Sequence, residues 1–431
     1  MKVKNYSELL DALESEELTI ELTNSISLPD SIRLKEGQKL IGTNPDIFLS
    51  FIATDGIALS KDNELANLSI QTAANKRAVY INSNHEDLGE LGLKDLTVTG
   101  MVQFLTRGKN KRTKINVDKL DIVSADARSY PERPMKYGVN VYQGAFTIYN
   151  FNPDPDSLIE ADLRDISIGR DKAPVLGSGL FISGFNDEVG KVIVNHLVTG
   201  DIYSNGMIPS GQPNLITGAL FIVYGALAKK IESRGVIKTY GTNDMVLDVW
   251  GQVEDWTSEK EIVSYGPSAI GFVNFGQVKN FRSHGEIKTF GLGARGFNQY
   301  DGTIEKAQFK SIKTLGDGSI GMQFSKPVGT IIIDEDIVTE GSMGQTLVKG
   351  VLKNLKADGI SVLEGGLVKK MQVGGDIITK GDDVVGLHLD KGQIKEFTIK
   401  GKIKANDQSK EVFLENGALL DTKDLEKYLA K

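Results

Sequence analysis

Glycine returns every 25 residues through much of the second half of the chain. It ends the segments VIKTYG, EIVSYG, EIKTFG, SIKTLG and DIVTEG, at Gly241, Gly266, Gly291, Gly316 and Gly341. An isoleucine four places earlier keeps the same step, at Ile237, Ile262, Ile287, Ile312 and Ile337. A fixed period of this size marks a solenoid, in which each repeat is one structural unit stacked on the next. The 431 residues therefore need not be divided into ordinary globular domains.

The content of each repeat predicts which solenoid it is. One repeat reads EIKTFG LGARGFNQYDG TIEKAQFKSI, with three short alternating runs rich in Ile, Phe and Thr, separated by glycine. Alternation over four to six residues is a strand pattern, and glycine supplies the corners. No repeat contains a helical pattern of ten residues. We therefore predict an all-β, single-stranded right-handed parallel β-helix with coils of about 25 residues, in which equivalent isoleucines stack at about 4.8 Å.

The pattern continues in both directions with less regular steps. Upstream, the same position is held by Ile70, Val98, Ile122, Ile168 and Ile202. Downstream, Ile377 and Ile403 follow a disturbed stretch around residues 342–366. The steps that end at Ile168, Ile202 and Ile237 measure 46, 34 and 35 residues, although the first could instead hold two short coils. Insertions in a solenoid emerge as loops, and loops carry function. We expect the insertions mainly in 123–235.

Both ends of the solenoid are predicted to be capped by short helices. Residues 1–16 place Tyr6, Leu9, Leu10 and Leu13 at helical spacing behind a capping box of Asn5 and Glu8. Residues 421–431 form a second amphipathic pattern, and the β-helix is assigned to 17–420.

Composition excludes several classes of function. The net charge of −7 and the scattered Lys and Arg residues argue against a nucleic-acid partner. No apolar run is long enough to span a membrane. The absence of cysteine rules out thiolate catalysis and thiolate metal sites. The first residues lack a secretory signal, so the chain is expected to be cytoplasmic by default, or secreted if a signal was removed.

Near the N-terminus, I-x-L pairs run into a glycine turn after the helical segment. The pairs are Ile20 with Leu22, Ile26 with Leu28 and Ile32 with Leu34, followed by Leu40-Ile41-Gly42. This stretch, about a tenth of the chain, resembles the pectate-lyase-like right-handed parallel β-helix superfamily. The resemblance implies the fold, a carbohydrate ligand class and, as one oligomeric state, a homotrimer. No catalytic residue carries over, because the Gly-His-Gly and Arg-Ile-Lys motifs of the galacturonan hydrolases are absent.

Candidate site residues come from the inserted loops and the coil that follows them. Glycoside cleavage requires two carboxylates about 5–9.5 Å apart, and Glu132 with Asp171, or Asp187 with Asp244, could supply them. Arginine binds hydroxyl and carboxylate groups through a fixed fork of donors, so Arg133 and Arg170 are predicted to bind substrate. The alternative is that these loop residues form turns and salt bridges. No metal or cofactor site is predicted, although Asp154 and Asp156 in NPDPD leave calcium open.

Aromatic residues on consecutive coils offer a further candidate surface. An exposed row would be a platform for sugar rings, and Tyr137 and Trp250 are predicted to bind substrate. The row consists of Trp250, Tyr265, Phe275, Phe290 and Tyr300. The leading hypothesis is a carbohydrate-active protein that binds or cleaves a polysaccharide or oligosaccharide, as a hydrolase or a lyase if it is an enzyme. The rival hypothesis is a non-catalytic solenoid that has a structural role or binds another protein.

Overall fold

The computed structural model describes residues 1–209, 211–348, 351–423 and 425–430. Strands account for 57% of the structure and helices for 3%, and the strands form long parallel sheets. The predicted all-β class with parallel strands is therefore confirmed. The chain divides into two compact units. Unit 1 comprises Met1–Pro134, Tyr142–Ser204 and Phe221–Ile231, and unit 2 comprises Met135–Val141, Asn205–Leu220 and Glu232–Lys431.

Unit 1 contains two parallel ladders of strands. The first is formed by Lys2–Val3, Thr19–Leu22, Ile26–Leu28, Lys39–Gly42, Phe48–Phe51, Glu64–Gln71, Asp87–Thr99, Arg112–Ser124, Leu158–Ile168 and Lys191–Asn205. The second is formed by Ile32–Arg33, Ile57–Leu59, Arg77–Ile81, Met101–Thr106, Gly144–Asn150 and Ser178–Ser183. A short strand, Val175–Leu176, precedes the last of these.

A helix, Tyr6–Glu14, precedes most of these strands. The Asn5 side chain caps it by accepting a hydrogen bond from the backbone N–H of Glu8 at 3.0 Å. The Glu8 carboxylate in turn accepts from the Asn5 side chain at 2.8 Å and from the backbone N–H of Lys4 at 3.0 Å. Leu9 and Leu13 are buried on one face. The helix therefore forms where the capping box predicts it.

Unit 2 contains three parallel ladders, each named here after its first residue. The Ile237 ladder is formed by Ile237–Thr239, Ile262–Ser264, Ile287–Thr289, Ile312–Thr314, Ile337–Thr339, Ile377–Thr379 and Ile403–Ala405. The Asp244 ladder is formed by Asp244–Val249, Ile270–Asn274, Arg295–Gln299, Met322–Phe324, Ile360–Val362, Val385–Asp390 and Lys410–Glu415. The Gln252 ladder is formed by Gln252–Ser258, Gln277–Ser283, Thr303–Phe309, Pro327–Ile333, Leu367–Val373, Gln393–Ile394, Phe397–Ile399 and Leu419–Leu420.

Two antiparallel hairpins add to unit 2. One consists of Met135–Lys136 and Val139–Val141, and the other of Met343–Val348 and Val351–Lys356. The remaining strands are Leu215–Ile222, which belongs to unit 2 as far as Leu220, and Ala226–Ser233, which belongs to unit 1 as far as Ile231. At the C-terminal end, the described residues contain one 3₁₀ turn, Leu425–Tyr428, without a buried side chain. The described part of residues 421–431 therefore does not form the predicted amphipathic helix with a buried face.

The predicted isoleucine stacks are confirmed by strand register. Ile237, Ile262, Ile287, Ile312 and Ile337 are successive partners, followed by Ile377 and Ile403. In unit 1, Ile70, Val98, Ile122, Ile168 and Ile202 are partners in the same way. All of these side chains are fully buried, and each burial stabilises the fold by about 1.5–3 kcal/mol. Because Ile122 pairs directly with Ile168, the alternative of two short coils between them is wrong.

The repeated glycine is required by the close approach of successive turns of the chain. A Cβ atom added to Gly291 would lie 2.0 Å from the carbonyl oxygen of Gly266, and one added to Gly316 would lie 2.0 Å from that of Gly291. Backbone atoms cannot move away from such a contact without breaking the ladder hydrogen bonds. The glycine period therefore reflects sterics within the stack.

We expect Gly291→Ala to lower the free energy of unfolding by about 1–3 kcal/mol, the usual cost of overpacking a filled site. Urea denaturation followed by tryptophan fluorescence measures the change. Gly92→Ala is the matched control, because its new Cβ would make only ordinary van der Waals contacts, the nearest with the Glu64 side chain at 3.4 Å. Equal stability of the two variants would contradict this explanation of the repeat.

Candidate functional site

The loop residues predicted as acids and arginines lie in ion pairs and turns in unit 1. Glu132 accepts a hydrogen bond from Arg107 at 2.5 Å and retains 11% side-chain exposure. Asp171 is exposed and follows Arg170, which binds both oxygens of Asp121 at 2.9 and 2.6 Å. Glu132 and Arg170 are thus held by acid–base partners of their own, and the pairing of Glu132 with Asp171 remains a prediction.

Asp187 and Arg133 also lie in locally ordered loops. Asp187 is exposed, and its backbone oxygen accepts a hydrogen bond from Lys191 in a turn organised by Asn186. The Arg133 guanidinium lies 4.6 Å from the centre of the Tyr142 ring and donates to the backbone oxygen of Arg128 at 2.6 Å. These contacts hold the loops in shape, which is the alternative role considered from the sequence.

Asp244, in unit 2, is fully buried and serves as a multiple hydrogen-bond acceptor. Its carboxylate accepts from the backbone N–H groups of Gly206 at 2.9 Å and Gly241 at 2.7 Å, and from the Thr217 hydroxyl at 2.6 Å. Burial raises the pKa of Asp244 to about 6, although these three donors act in the opposite direction. Since its oxygens are already engaged, the arrangement joins three chain segments.

Of the predicted aromatic row, Trp250 and Tyr300 are buried, with 3% and 7% exposure. Tyr265 and Phe290 are exposed, but they form a stack with Tyr240 in which ring centres lie 5.3 and 4.9 Å apart. Sugars bind to the faces of aromatic rings, and here the faces of neighbouring rings cover each other. The row is therefore not exposed along its whole length, and sugar binding by its exposed members stays a prediction.

Three aromatic rings, the buried Tyr300 and the half-buried Tyr137 and Phe275, line a cavity within unit 2. Tyr137 stacks on Phe275 at 4.4 Å and meets the edge of Trp250 at 5.4 Å, while Tyr300 stacks on the same Phe275 at 5.0 Å. The cavity offers about 40 Å³ to the centres of water-sized molecules, room for about three waters. It is lined by Tyr137, Val139, Ile216, Asn243, Met245, Asp248, Ser268, Ile270, Val273, Phe275, Arg295, Tyr300 and Leu347.

Asp248 is the polar group that distinguishes this cavity. It is fully buried, and among the described residues neither carboxyl oxygen has a hydrogen-bond partner of ordinary geometry. Burial raises the pKa of the Asp248 carboxyl well above its usual value, opposed by the backbone N–H of Val249 and the side chain of Trp250. A buried polar group without a partner costs about 1–3 kcal/mol, so its retention calls for an explanation.

Arg295 provides the second polar group of the cavity. Its guanidinium donates to the Tyr300 hydroxyl and, at 3.0 Å, to the backbone oxygen of Leu347. Its Nε atom is buried and has no partner among the described residues. Within the described structure, no nitrogen of Arg295 lies within 4.0 Å of an Asp248 carboxyl oxygen, so the two residues do not form an ion pair. Each therefore retains hydrogen-bonding capacity inside the cavity.

The hairpin Met343–Val348 and Val351–Lys356 contributes Leu347 to the cavity wall. The backbone N–H of Leu347 donates to the Ser268 hydroxyl at 3.0 Å, and the Thr346 hydroxyl donates to the backbone oxygen of Gly293 at 2.9 Å. These bonds join residues 79 and 53 positions apart in the chain. The hairpin lies within the stretch that the sequence marked only as disturbed.

Of the residues that line the cavity, Tyr137 was predicted from the sequence as a binding residue, whereas Asp248 and Arg295 were missed; the predicted Trp250 contacts Tyr137 but does not line the cavity. One signal was present in the sequence. Asp248 follows Leu247, which pairs with Phe272 in the core, so strand alternation places Asp248 on the opposite face, where a charged residue usually meets water. Its full burial depends on the segments that cover this face, and no short-range pattern specifies where those segments pack.

A separate polar cluster lies on the Asp244 ladder. His388 Nδ1 lies 3.0 Å from Asp358, and its Nε2 lies 2.8 Å from Glu415. The hydrogen bond to Asp358 raises the pKa of His388, assisted by Glu415 and opposed by burial. The cluster links three successive turns of the chain through one imidazole ring.

We expect this cluster to stabilise the protein most at low pH. A raised pKa in the folded state means that the stabilisation is complete below about 6.5, the ordinary histidine value, and is lost as pH rises through the folded-state pKa. The difference in unfolding free energy between the wild type and His388→Gln should therefore shrink as pH rises, as urea titrations at several pH values can show. A difference that grows with pH would contradict a charged His388.

Within the described ranges, no group of three or more His, Cys, Asp and Glu side chains is placed to hold a metal ion. In the same ranges, no helix is long and apolar enough to cross a membrane. Searches of protein-family models, of curated proteins and of solved structures found no match to this chain.

Proposed function

We propose that the protein is a right-handed parallel β-helix that binds neutral carbohydrate in the Asp248 cavity. The fold assignment is supported by the 25-residue register, in which each repeat from Ile237 supplies one strand to each of three ladders. The observation that carries the ligand assignment is the buried Asp248 carboxyl, which lacks a partner in a cavity walled by aromatic rings.

The polar groups of the cavity favour hydroxyl groups as the ligand. Arg295 requires an acceptor for its Nε–H, and Asp248 offers two oxygens. A sugar hydroxyl can both donate and accept, so one polyhydroxylated ring can satisfy both residues. The apolar face of the same ring fits against Ile270 and Val273 in the cavity wall, which is the usual division between apolar walls and a few polar groups in a ligand site.

The composition of the cavity favours binding over cleavage. Among the described residues, Asp248 is the one carboxylate in its walls. Glycoside hydrolysis by the usual mechanism requires two carboxyl groups flanking the bond. We therefore expect the protein to bind a sugar without releasing reducing ends. As the cavity stands it admits the hydroxyl edge of a ring, and a whole ring requires the Leu347 wall to move.

A glycan array, followed by calorimetry and a reducing-end assay, tests this proposal. We expect binding to neutral glycans that is weakened by Asp248→Leu and unchanged by Asp118→Leu, an exposed acid in unit 1. No binding across neutral glycans would overturn the proposal and favour the structural or protein-binding role. Release of reducing ends would show that the protein also cleaves the glycan.

A further inference from the structure

A row of polar side chains runs on from the cavity along the Asp244 ladder. Asp248, Val273, Asn298 and Gln323 are successive register partners. Because neighbouring parallel strands lie about 4.8 Å apart, the row spans about 14 Å. Its side chains are on the face opposite to Leu247, Phe272 and Phe297, which pack in the core.

Asn298 and Gln323 resemble Asp248 in lacking partners. Asn298 is fully buried, and within the described structure neither its Oδ1 nor its Nδ2 atom has a hydrogen-bond partner. Gln323 is 6% exposed, and its buried Oε1 atom is also without a partner among those residues. Three of the four positions of the row therefore carry unused hydrogen-bonding groups that are shielded from solvent.

The next row of the same ladder shows that such groups are ordinarily satisfied here. Asn274 and Gln299 are also register partners, one residue further along their strands. The Asn274 side chain donates to the Gln299 side chain at 3.1 Å and to the backbone oxygens of Gly276 at 3.3 Å and Thr303 at 3.2 Å. The Asn274 side chain is thus satisfied within the ladder, whereas the Asn298 amide and the Gln323 Oε1 atom have unused capacity.

The hairpin that contributes to the cavity is inserted at one point in an otherwise ordinary turn. Thr314 donates to the backbone oxygen of Ser319 at 2.7 Å, and Thr339 makes the same bond to Ala357 at 2.7 Å. The first pair is five residues apart and the second is eighteen, so thirteen residues have been added. Removing residues 343–355 would restore the spacing of the preceding turn.

We infer that the ligand site extends from the cavity along Asp248, Asn298 and Gln323, so that the ligand is a chain of linked sugar units. This inference rests on the proposed carbohydrate function. Successive sugar units would lie beside successive turns of the ladder. Their hydroxyl groups would donate hydrogen bonds to Asp248 and to Gln323 Oε1, and would both donate to and accept from the Asn298 amide. Val273, between them, offers an apolar contact to the face of a ring. The inserted hairpin then covers the site and moves to admit the chain.

Calorimetry with cello-oligosaccharides of one to four glucose units tests the inference on the full chain. We expect affinity to rise with length in the wild type. Asn298→Leu should weaken binding of the four-unit ligand about tenfold, the loss expected for two hydrogen bonds, and leave glucose binding unchanged. Gln277→Leu is the matched control, because Gln277 is an exposed residue on the Gln252 ladder. Since Asn298 has no partner to lose, its variant should fold normally, and thermal unfolding verifies this.

A variant lacking residues 343–355 provides the second test. With the cover removed, the four-unit ligand should associate faster than with the wild type, in stopped-flow measurements. If glucose binds through Asp248 but four units bind no more tightly than one, the cavity stands and its extension is wrong. If neither glucose nor the longer ligands bind, the proposed function falls and this inference falls with it.

Discussion

Replacing Asp244 with alanine should lower the free energy of unfolding by about 3–5 kcal/mol. The substitution leaves three donors without an acceptor in a site shielded from water: the N–H groups of Gly206 and Gly241 and the hydroxyl of Thr217. Each unsatisfied buried donor costs about 1–3 kcal/mol, and removing one partner of a buried charged network is among the most destabilising of single changes. Urea denaturation measures the loss.

The control for this substitution is Asp255→Ala, which removes an exposed carboxylate on the Gln252 ladder and should change stability by less than about 0.5 kcal/mol. A loss below about 1 kcal/mol for Asp244→Ala would show that the three donors find other acceptors. Asp244 would then not be the group that joins residues 205–220 to the turn at Gly241.

Replacing Asp248 with leucine should have the opposite effect on stability and a large effect on binding. The carboxyl has no hydrogen bond of ordinary geometry to lose among the described residues, and an apolar side chain avoids the cost of its burial. We expect the free energy of unfolding to rise by about 1–3 kcal/mol. Binding of neutral sugar should fall about 100-fold, because the sugar hydroxyl that donates a hydrogen bond to Asp248 would be left buried and unpaired.

Denaturation and calorimetry on the same protein preparations separate the two effects. Asp118→Leu should alter neither quantity. If Asp248→Leu destabilises the protein as Asp244→Ala does, Asp248 has structural partners and the main support for the carbohydrate site is lost. A gain in stability with loss of binding is the pattern expected when a functional site retains a group that the fold alone does not favour.

These two aspartates lie four residues apart in the segment GTNDMVLD, and the sequence does not distinguish their roles. It assigned Asp244 to catalysis and left Asp248 without a role. Each role depends on residues far away in the chain. Thr217 and Gly206 reach Asp244 from 27 and 38 positions away, while the cavity beside Asp248 is closed by Tyr137 and Leu347.

The sequence by itself determined the parallel strands and their register. Each repeat contains the same local features: a length of 25 residues, a glycine at the corner and an inward isoleucine. Because equivalent positions of successive repeats stack on each other, these features determine the register. The same repetition explains why Ile70 to Ile202 could be aligned before the fold was known.

Only the tertiary structure decided where the inserted segments pack, and with them the site. The longest insertions indicated loops at 123–235. There Glu132, Arg133 and Arg170 bind neighbouring residues and the Asp187 backbone oxygen accepts from Lys191, while the substrate roles predicted for these residues stay predictions. The hairpin at 343–356 turns back over the Asp244 ladder through bonds to Ser268, Gly293 and Arg295, more than fifty residues away. Burial of a polar row depends on such long-range packing, whereas periodicity reports only on neighbours along a strand and on equivalent positions in adjacent repeats.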